Sequence, residues 1–205
     1  MYDTITAAID HQFPALQATL EDLIRIPSVS APGYDAGEVR RSAEFTADLL
    51  RTAGFGNVHL LEHEGAHPAV YGEIAGPEGS PTVLLYAHHD VQPPGPDEEW
   101  HTAPFEPVVR DGRIYGRGSS DDASGIIVHL GAVGAFAGAP PVGVKVIIEG
   151  EEEIGSLHLE DFLAEHADML AADVIVIADS GNWKTGQPSL TTSLRGLVDC
   201  TVEVR

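Results

Sequence analysis

Apolar residues near the N-terminus recur at helical spacing. Ile5, Ile9, Leu16, Leu20, Leu23 and Ile24 predict a helix from about Asp3 to Ile24, ended by Pro27 and the Ser30-Ala31-Pro32-Gly33 run. Val39, Ala43, Leu49 and Leu50 form the apolar side of a second helix, about Ala36 to Ala53, with Gly54 placed to cap it. The period then shortens. Val58–Leu61, Ala69–Ile74 and Thr82–Ala87 predict strands separated by Gly- and Pro-rich turns. Asp111-Gly112, between two short β-prone runs in Val108–Gly116, predicts a hairpin. A third helix begins near Asp121 and carries Ile126, Ile127, Leu130 and Val133 inward.

Gly143–Ile148 and Asp173–Ala178 are continuous apolar runs, which predicts strands covered on both faces, with a helix near Leu157–His166 between them. A last alternating run, Leu197–Val204, predicts one more strand. The strand–helix–strand order implies right-handed crossovers. The expected fold class is α/β: a mixed, mostly parallel sheet with helices on both faces. No internal repeat is visible, and the Pro-rich stretch Gln92–Asp97 reads as a loop.

Composition narrows the function. With 43% hydrophobic residues the 205-residue chain can bury a core, and 32 acidic against 11 basic residues give a formal charge of -21. Such a charge repels nucleic-acid phosphates and anionic membrane surfaces, so neither is an expected partner. A lone Cys200 and an N-terminus without a basic-then-apolar pattern point to a cytoplasmic protein. Ten histidines stand beside this excess of carboxylates, which turns attention to metal chemistry.

His63-Glu64-Gly65-Ala66-His67 matches the H-E-x-x-H zinc-protease pattern letter for letter. That chemistry needs a helix to bring both histidines to one face. Gly65 inside the motif and Pro68 directly after it oppose a helix, so the segment reads as a polar turn.

The stronger candidates gather at strand ends. His88-His89-Asp90 follows Val83-Leu84-Leu85-Tyr86, and period-2 alternation sends His88 and Asp90 to one side. A carboxylate there can receive one ring N–H while the other nitrogen meets a metal, although such a pair can equally be a plain polar contact. Asp121-Asp122 opens the third helix; one acid can cap it, leaving the other spare. Glu149-Gly150-Glu151-Glu152-Glu153 follows a strand and reads either as a solvated acidic loop or as a ligand cluster. Asp179 repeats the strand-end placement after Val174–Ala178.

Each feature has an ordinary structural explanation, but four together at crossover spacing need four coincidences. Carboxylates crowded in a cleft repel one another unless a cation sits among them. Histidine with carboxylates suits zinc, manganese or cobalt, and a shared Asp suits a pair of ions around an activated water. Ser119, Ser120 and Ser180 lie in no G-x-S-x-G elbow, and no dinucleotide or Walker glycine loop is present.

Tyr86-Ala87-His88-His89-Asp90-Val91-Gln92-Pro93 resembles the first metal motif of the carnosinase, aminoacylase and carboxypeptidase G type of two-zinc peptidases. Trp100 with Pro104-Phe105 and Tyr115–Asp122 resembles the second motif, Glu149–Ser156 the third, and Ala178-Asp179 the fourth. The motifs run in order over nearly the whole chain. The resemblance implies that His88 and Asp179 bind one ion, Glu153 the other, and Asp121 both, with a cis peptide joining Asp121 to Asp122. Asp90 then orients His88, and Glu152 is the general base for a water bridged between two zinc ions, with manganese or cobalt as alternatives. The wording around Val91-Gln92-Pro93 and Trp100 tilts the expectation toward a dipeptidase acting on small peptides. The alternatives are a deacylase or desuccinylase acting on N-acyl amino acids, or a metal- or partner-binding fragment without activity.

Two departures accompany the resemblance. Ala123 stands where the family has a lysine after the paired aspartates. The family also continues into a lid and dimerisation domain and returns with a final metal-binding histidine. Residues 1–193 are therefore expected to be the N-terminal part of the catalytic domain, and 194–205 a strand leading toward that lid, with a homodimer implied for the intact enzyme. His11, His59, His101, His129, His158 and His166 are expected to be surface or packing residues.

Overall fold

A computed structural model describes residues 2–198 and 200–204. Helix α1 spans Tyr2–Ile24 and α2 spans Ala36–Thr52, where Asp35 caps the first turn by accepting the Gly37 N–H at 2.8 Å. Gly54 follows α2 in the left-handed region at φ 92°, a conformation that favours glycine. Strands β1 (Gly56–Leu61), β2 (Ala69–Ile74) and β3 (Thr82–His88) come next. The hairpin β4 (Val108–Arg110) and β5 (Arg113–Tyr115) turns at Asp111 and Gly112, both at positive φ, as the Asp-Gly pair predicts. Then follow α3 (Ala123–Gly134), β6 (Gly143–Glu149), α4 (Leu159–Glu165), α5 (Ala167–Leu170) and β7 (Val174–Ile177).

The main sheet has the order β1-β2-β6-β3-β7. β1 and β6 both pair antiparallel with β2, whereas β3 lies parallel to β6 and β7. The sheet is thus mixed, and its parallel half brings the carboxyl ends of β3, β6 and β7 together. Helices cover both faces, as expected. On one face Leu23 and Ile24 of α1, Ala43 and Leu50 of α2, and Ile126 and Leu130 of α3 pack with Val70, Leu85, Val146 and Ile148. On the other, Phe162 and Leu170 pack with Leu61, Tyr71, Leu84 and Ile147. Alternation along β6 explains the split: Val146 and Ile148 belong to the first cluster and Ile147 to the second.

The helix expected near Leu157–His166 is present as α4, and the short α5 follows it after His166, which lies outside helical geometry. Two other expectations meet a different structure. β7 is apolar but not covered: it is the sheet's edge strand, and Val174, Ile175, Val176 and Ile177 are 52%, 63%, 43% and 59% exposed. Residues 197–198 and 200–204 form no strand, and Asp199 lies outside the described residues. A strand needs a neighbour to receive its N–H and C=O groups, and among the described residues none pairs with this run. No helix among the described residues is long and apolar enough to cross a membrane.

Ile148 is fully buried and belongs to the larger cluster. Ile148→Ala should therefore lower the unfolding free energy by about 2–5 kcal/mol, read as a reduced urea midpoint at unchanged slope.

Candidate metal centre

β3 delivers its last residue, His88, to the end of the sheet beside Glu149 of β6. Alternation then holds for the tripeptide as predicted. His88 and Asp90 turn to one side, while the His89 ring turns to the other and donates from Nε2 to the Pro68 carbonyl at 2.9 Å. The Ala178 N–H donates to the Tyr86 carbonyl at 3.1 Å, which continues the β7 pairing up to Asp179.

The paired aspartates divide their work as the capping argument anticipates. Asp122, almost wholly buried, caps α3 by accepting the Gly125 N–H at 3.2 Å and also receives the His88 backbone N–H at 3.3 Å. The Asp121–Asp122 peptide is cis. Asp121 keeps a 64% exposed side chain whose Oδ1 stands 3.0 Å from His88 Nε2.

The same nitrogen lies 4.0 Å from Glu152 Oε2 and 4.0 Å from Asp179 Oδ2. Donor atoms of His88, Asp121 and Glu153 all lie within 4.8 Å of one another, and so do those of His88, Glu152 and Asp179. The fold therefore brings together every residue that the sequence singled out for a metal site, in two groups that share His88.

Asp90 joins the pieces. Its side chain is fully buried and meets His88 Nδ1 through Oδ1 at 3.3 Å, while its backbone carbonyl meets the same nitrogen at 3.0 Å. Oδ1 also accepts the Glu152 N–H at 3.2 Å, and Oδ2 accepts the Glu153 N–H at 3.1 Å and the Ser30 hydroxyl at 2.6 Å. One carboxylate thus orients the imidazole and holds the backbone of the short 3-10 turn Glu152–Ile154.

The electrostatics are those of a cluster short of positive charge. Burial pulls the His88 pKa down, but hydrogen bonding to Asp90 and the charges of Asp90, Asp122 and Glu152 outweigh it and push it up to about 10. Burial raises Asp90, yet its bonds to His88 and Ser30 win and hold it below the usual carboxylate range. Asp122 is pushed up to about 7, chiefly by burial. Burial and neighbouring acids raise Glu152, and burial raises Glu153 against the pull of Gln92. His88, Asp122, Glu152 and Glu153 are all shifted toward their protonated forms, so the cluster gains from added positive charge. A divalent ion offers such charge, and one imidazole with several carboxylates is a donor set such ions accept. The residues present fit the implied metal.

Two contributors escaped the sequence reading. Ser30 lay in a run read only as a helix stop, and nothing near it in the chain points to Asp90. Gln92 was part of the first motif without a role; its amide donates to Glu153 Oε2 at 2.6 Å and to the Glu153 carbonyl at 3.0 Å. His63–His67 forms a turn with Gly65 at φ 85°, not a helix, so it cannot act as a zinc-protease motif. His129 is a packing residue whose Nε2 meets the Tyr86 carbonyl at 2.9 Å.

An α/β sheet with histidine and carboxylates converging at its strand ends has the layout of a metallopeptidase catalytic domain. A sequence model of peptidase family M20/M25/M40 matches residues 84–205, more than half of the chain, and the chain belongs to that family. It is 33% identical to the Cys-Gly metallodipeptidase of Candida albicans over 96% of this chain and 43% of that protein. It is 36% identical to the Beta-Ala-His dipeptidase of Rattus norvegicus over 95% of this chain and 43% of that one. The structure of human carnosine dipeptidase 1 superposes with a TM-score of 0.78 at 29% identity, covering 89% of this chain and 41% of that chain. The chain spans less than half the length of these relatives.

Removing the Ser30 hydroxyl deprives Asp90 of its shortest bond. Ser30→Ala should weaken zinc binding by about tenfold, measured by competition with a chromogenic chelator, while the far-ultraviolet circular dichroism stays that of the wild type.

Proposed function

We propose that this chain is the N-terminal part of a metal-dependent hydrolase that cleaves the amide bond of dipeptides or small peptides. The observation that carries the reading is the pair of ligand groups sharing His88 at the end of the parallel strands, in a chain whose relatives are named as dipeptidases. Residues 1–193 are assigned to the catalytic domain, and 194–205 to the passage toward further parts of the enzyme. His88 and Asp179 are assigned to one ion, Glu153 to the other, and Asp121 to both. Zinc is the proposed metal, with manganese or cobalt able to occupy the same donor set. Two such ions, when bound, supply an acidified water and charge stabilisation at the scissile carbonyl.

The protein's own residues do the rest. Asp90 holds the His88 ring so that Nε2 faces the cluster. Glu152 stands beside it with a carboxylate free of short protein bonds among the described residues, which suits a group that accepts a proton from the attacking water. The burial and neighbouring acids that raise its affinity for a proton also suit its return of that proton to the departing amine. Homodimerisation of the intact enzyme and a cytoplasmic location belong to the same proposal, the latter supported by a single, free Cys200.

Metal analysis of the purified chain after metal loading should find bound zinc or manganese, and a chain that holds neither would sink the assignment. In the enzyme containing this chain, Glu152→Gln should retain its metal while losing about 10²–10⁴-fold in kcat/KM on dipeptides. Unchanged hydrolysis by that variant would remove Glu152 from the base role. A panel that includes N-succinyl and N-acyl amino acids tests the substrate class, and a preference for those over dipeptides would redirect the reading to a deacylase.

A further inference from the structure

We propose that Glu151, to which the mechanism above gives no task, is a positioning residue that sets where Glu152 and Glu153 stand relative to His88. The inference rests on the metal-centre reading. Glu151 is 3% exposed and directly precedes Glu152 and Glu153, the two acids of the run that face the site. Both of its carboxylate oxygens are engaged: Oε1 accepts the His67 N–H at 2.9 Å, and Oε2 accepts from His158 Nδ1 at 2.8 Å. Its backbone carbonyl receives the Ile154 N–H at 3.2 Å and the Ser156 N–H at 2.9 Å, which closes the 3-10 turn that carries Glu152 and Glu153. A buried carboxylate stripped of such partners is costly, so the loop is held where these donors are.

The turn that supplies the His67 N–H is itself fixed. The turn at residues 62–68 is tied down by the His89 ring bond to the Pro68 carbonyl at 2.9 Å, and by His67 Nε2, 3.3 Å from the Ser30 carbonyl. Ser30 in turn bonds Asp90. A side chain at Gly150 would bring a Cβ to 2.7 Å from the Pro68 carbonyl oxygen and 2.9 Å from the His89 ring, so only glycine lets the turn lie against the acidic loop. The loop is consequently held from two sides. Asp90 grips the N–H groups of Glu152 and Glu153, and the 62–68 turn with His158 grips the side chain of Glu151. Two attachments fix the rotation of the turn, whereas Asp90 alone is a pivot. His67, the last residue of the stretch that mimics a zinc-protease motif, thus serves the metal centre from behind through its backbone N–H.

Cobalt loading of the full chain tests this by metal affinity and by the visible absorption of the bound ion, which reports ligand geometry without any activity assay. Glu151→Ala should bind Co2+ about tenfold or more weakly, with a shifted visible band, because second-layer partners of a metal site typically carry effects of that size. Glu151→Gln should stay close to wild type, since its amide oxygen can accept from His67 and its N–H can donate to His158. A Glu151→Ala protein with wild-type affinity and spectrum overturns the proposal, and so does a Glu151→Gln protein as impaired as Glu151→Ala. If Glu151→Ala does not fold, His158→Ala is read by the same two measurements; a several-fold loss with a shifted band supports the proposal and an unchanged centre overturns it. A wild type that takes up no cobalt refutes the metal-centre reading itself, and this inference with it. A wild type that binds cobalt beside Glu151 variants that bind it identically refutes only the positioning role.

Discussion

The site depends on a buried carboxylate that cannot be left alone. Asp90 has no exposure, and its two oxygens satisfy the His88 ring, the Ser30 hydroxyl and the N–H groups of Glu152 and Glu153. A charge so enclosed persists only with a full set of donors. The donors come from the loop after α1, the end of β3 and the loop after β6, so the need to satisfy one residue aligns three distant segments. The imidazole of His88 and the turn bearing two acids take their places as a consequence.

The sheet supplies the geometry within which that knot can form. Parallel pairing of β3 with β6 and β7 puts three carboxyl ends at one edge, and α3 begins there with Asp122 reaching the His88 backbone. Antiparallel pairing on the β1–β2 side carries no site residue and instead completes the buried core. It also places the 62–68 turn, which joins β1 to β2, against the loop after β6. Both halves of the sheet contribute to the buried core, while the ends of the parallel half carry the site.

Negative charge concentrated in this way constrains the protein as a whole. His88 is driven to hold a proton, while burial pushes Asp122, Glu152 and Glu153 toward neutrality. All four pKa values are raised, His88 by its carboxylate neighbours and the three acids chiefly by burial, with neighbouring acids adding to it. A bound cation opposes these shifts, so metal uptake and the protonation of these groups are thermodynamically linked.

Much of this was legible in the chain. Helical and alternating periodicities located α1, α2, β2, β3 and β6 within a residue or two, because burial on one face or both imposes those repeats. Asp111-Gly112 announced its hairpin, since few other pairs accept two positive φ angles. His88, Asp90, Asp121, Glu152, Glu153 and Asp179 stood out because each lies next to a strand end or helix start, which is local information. What local information could not supply was contact between segments far apart. An apolar run does not say whether anything covers it, which is why β7 and the run from Leu197 differ from expectation. Nor does a serine in a Pro-Gly turn, or an acid among acids, declare its partner. The roles of Ser30, Gln92 and Glu151 were decided by the tertiary structure alone, because a hydrogen bond needs two groups within about 3 Å and only the fold sets that distance.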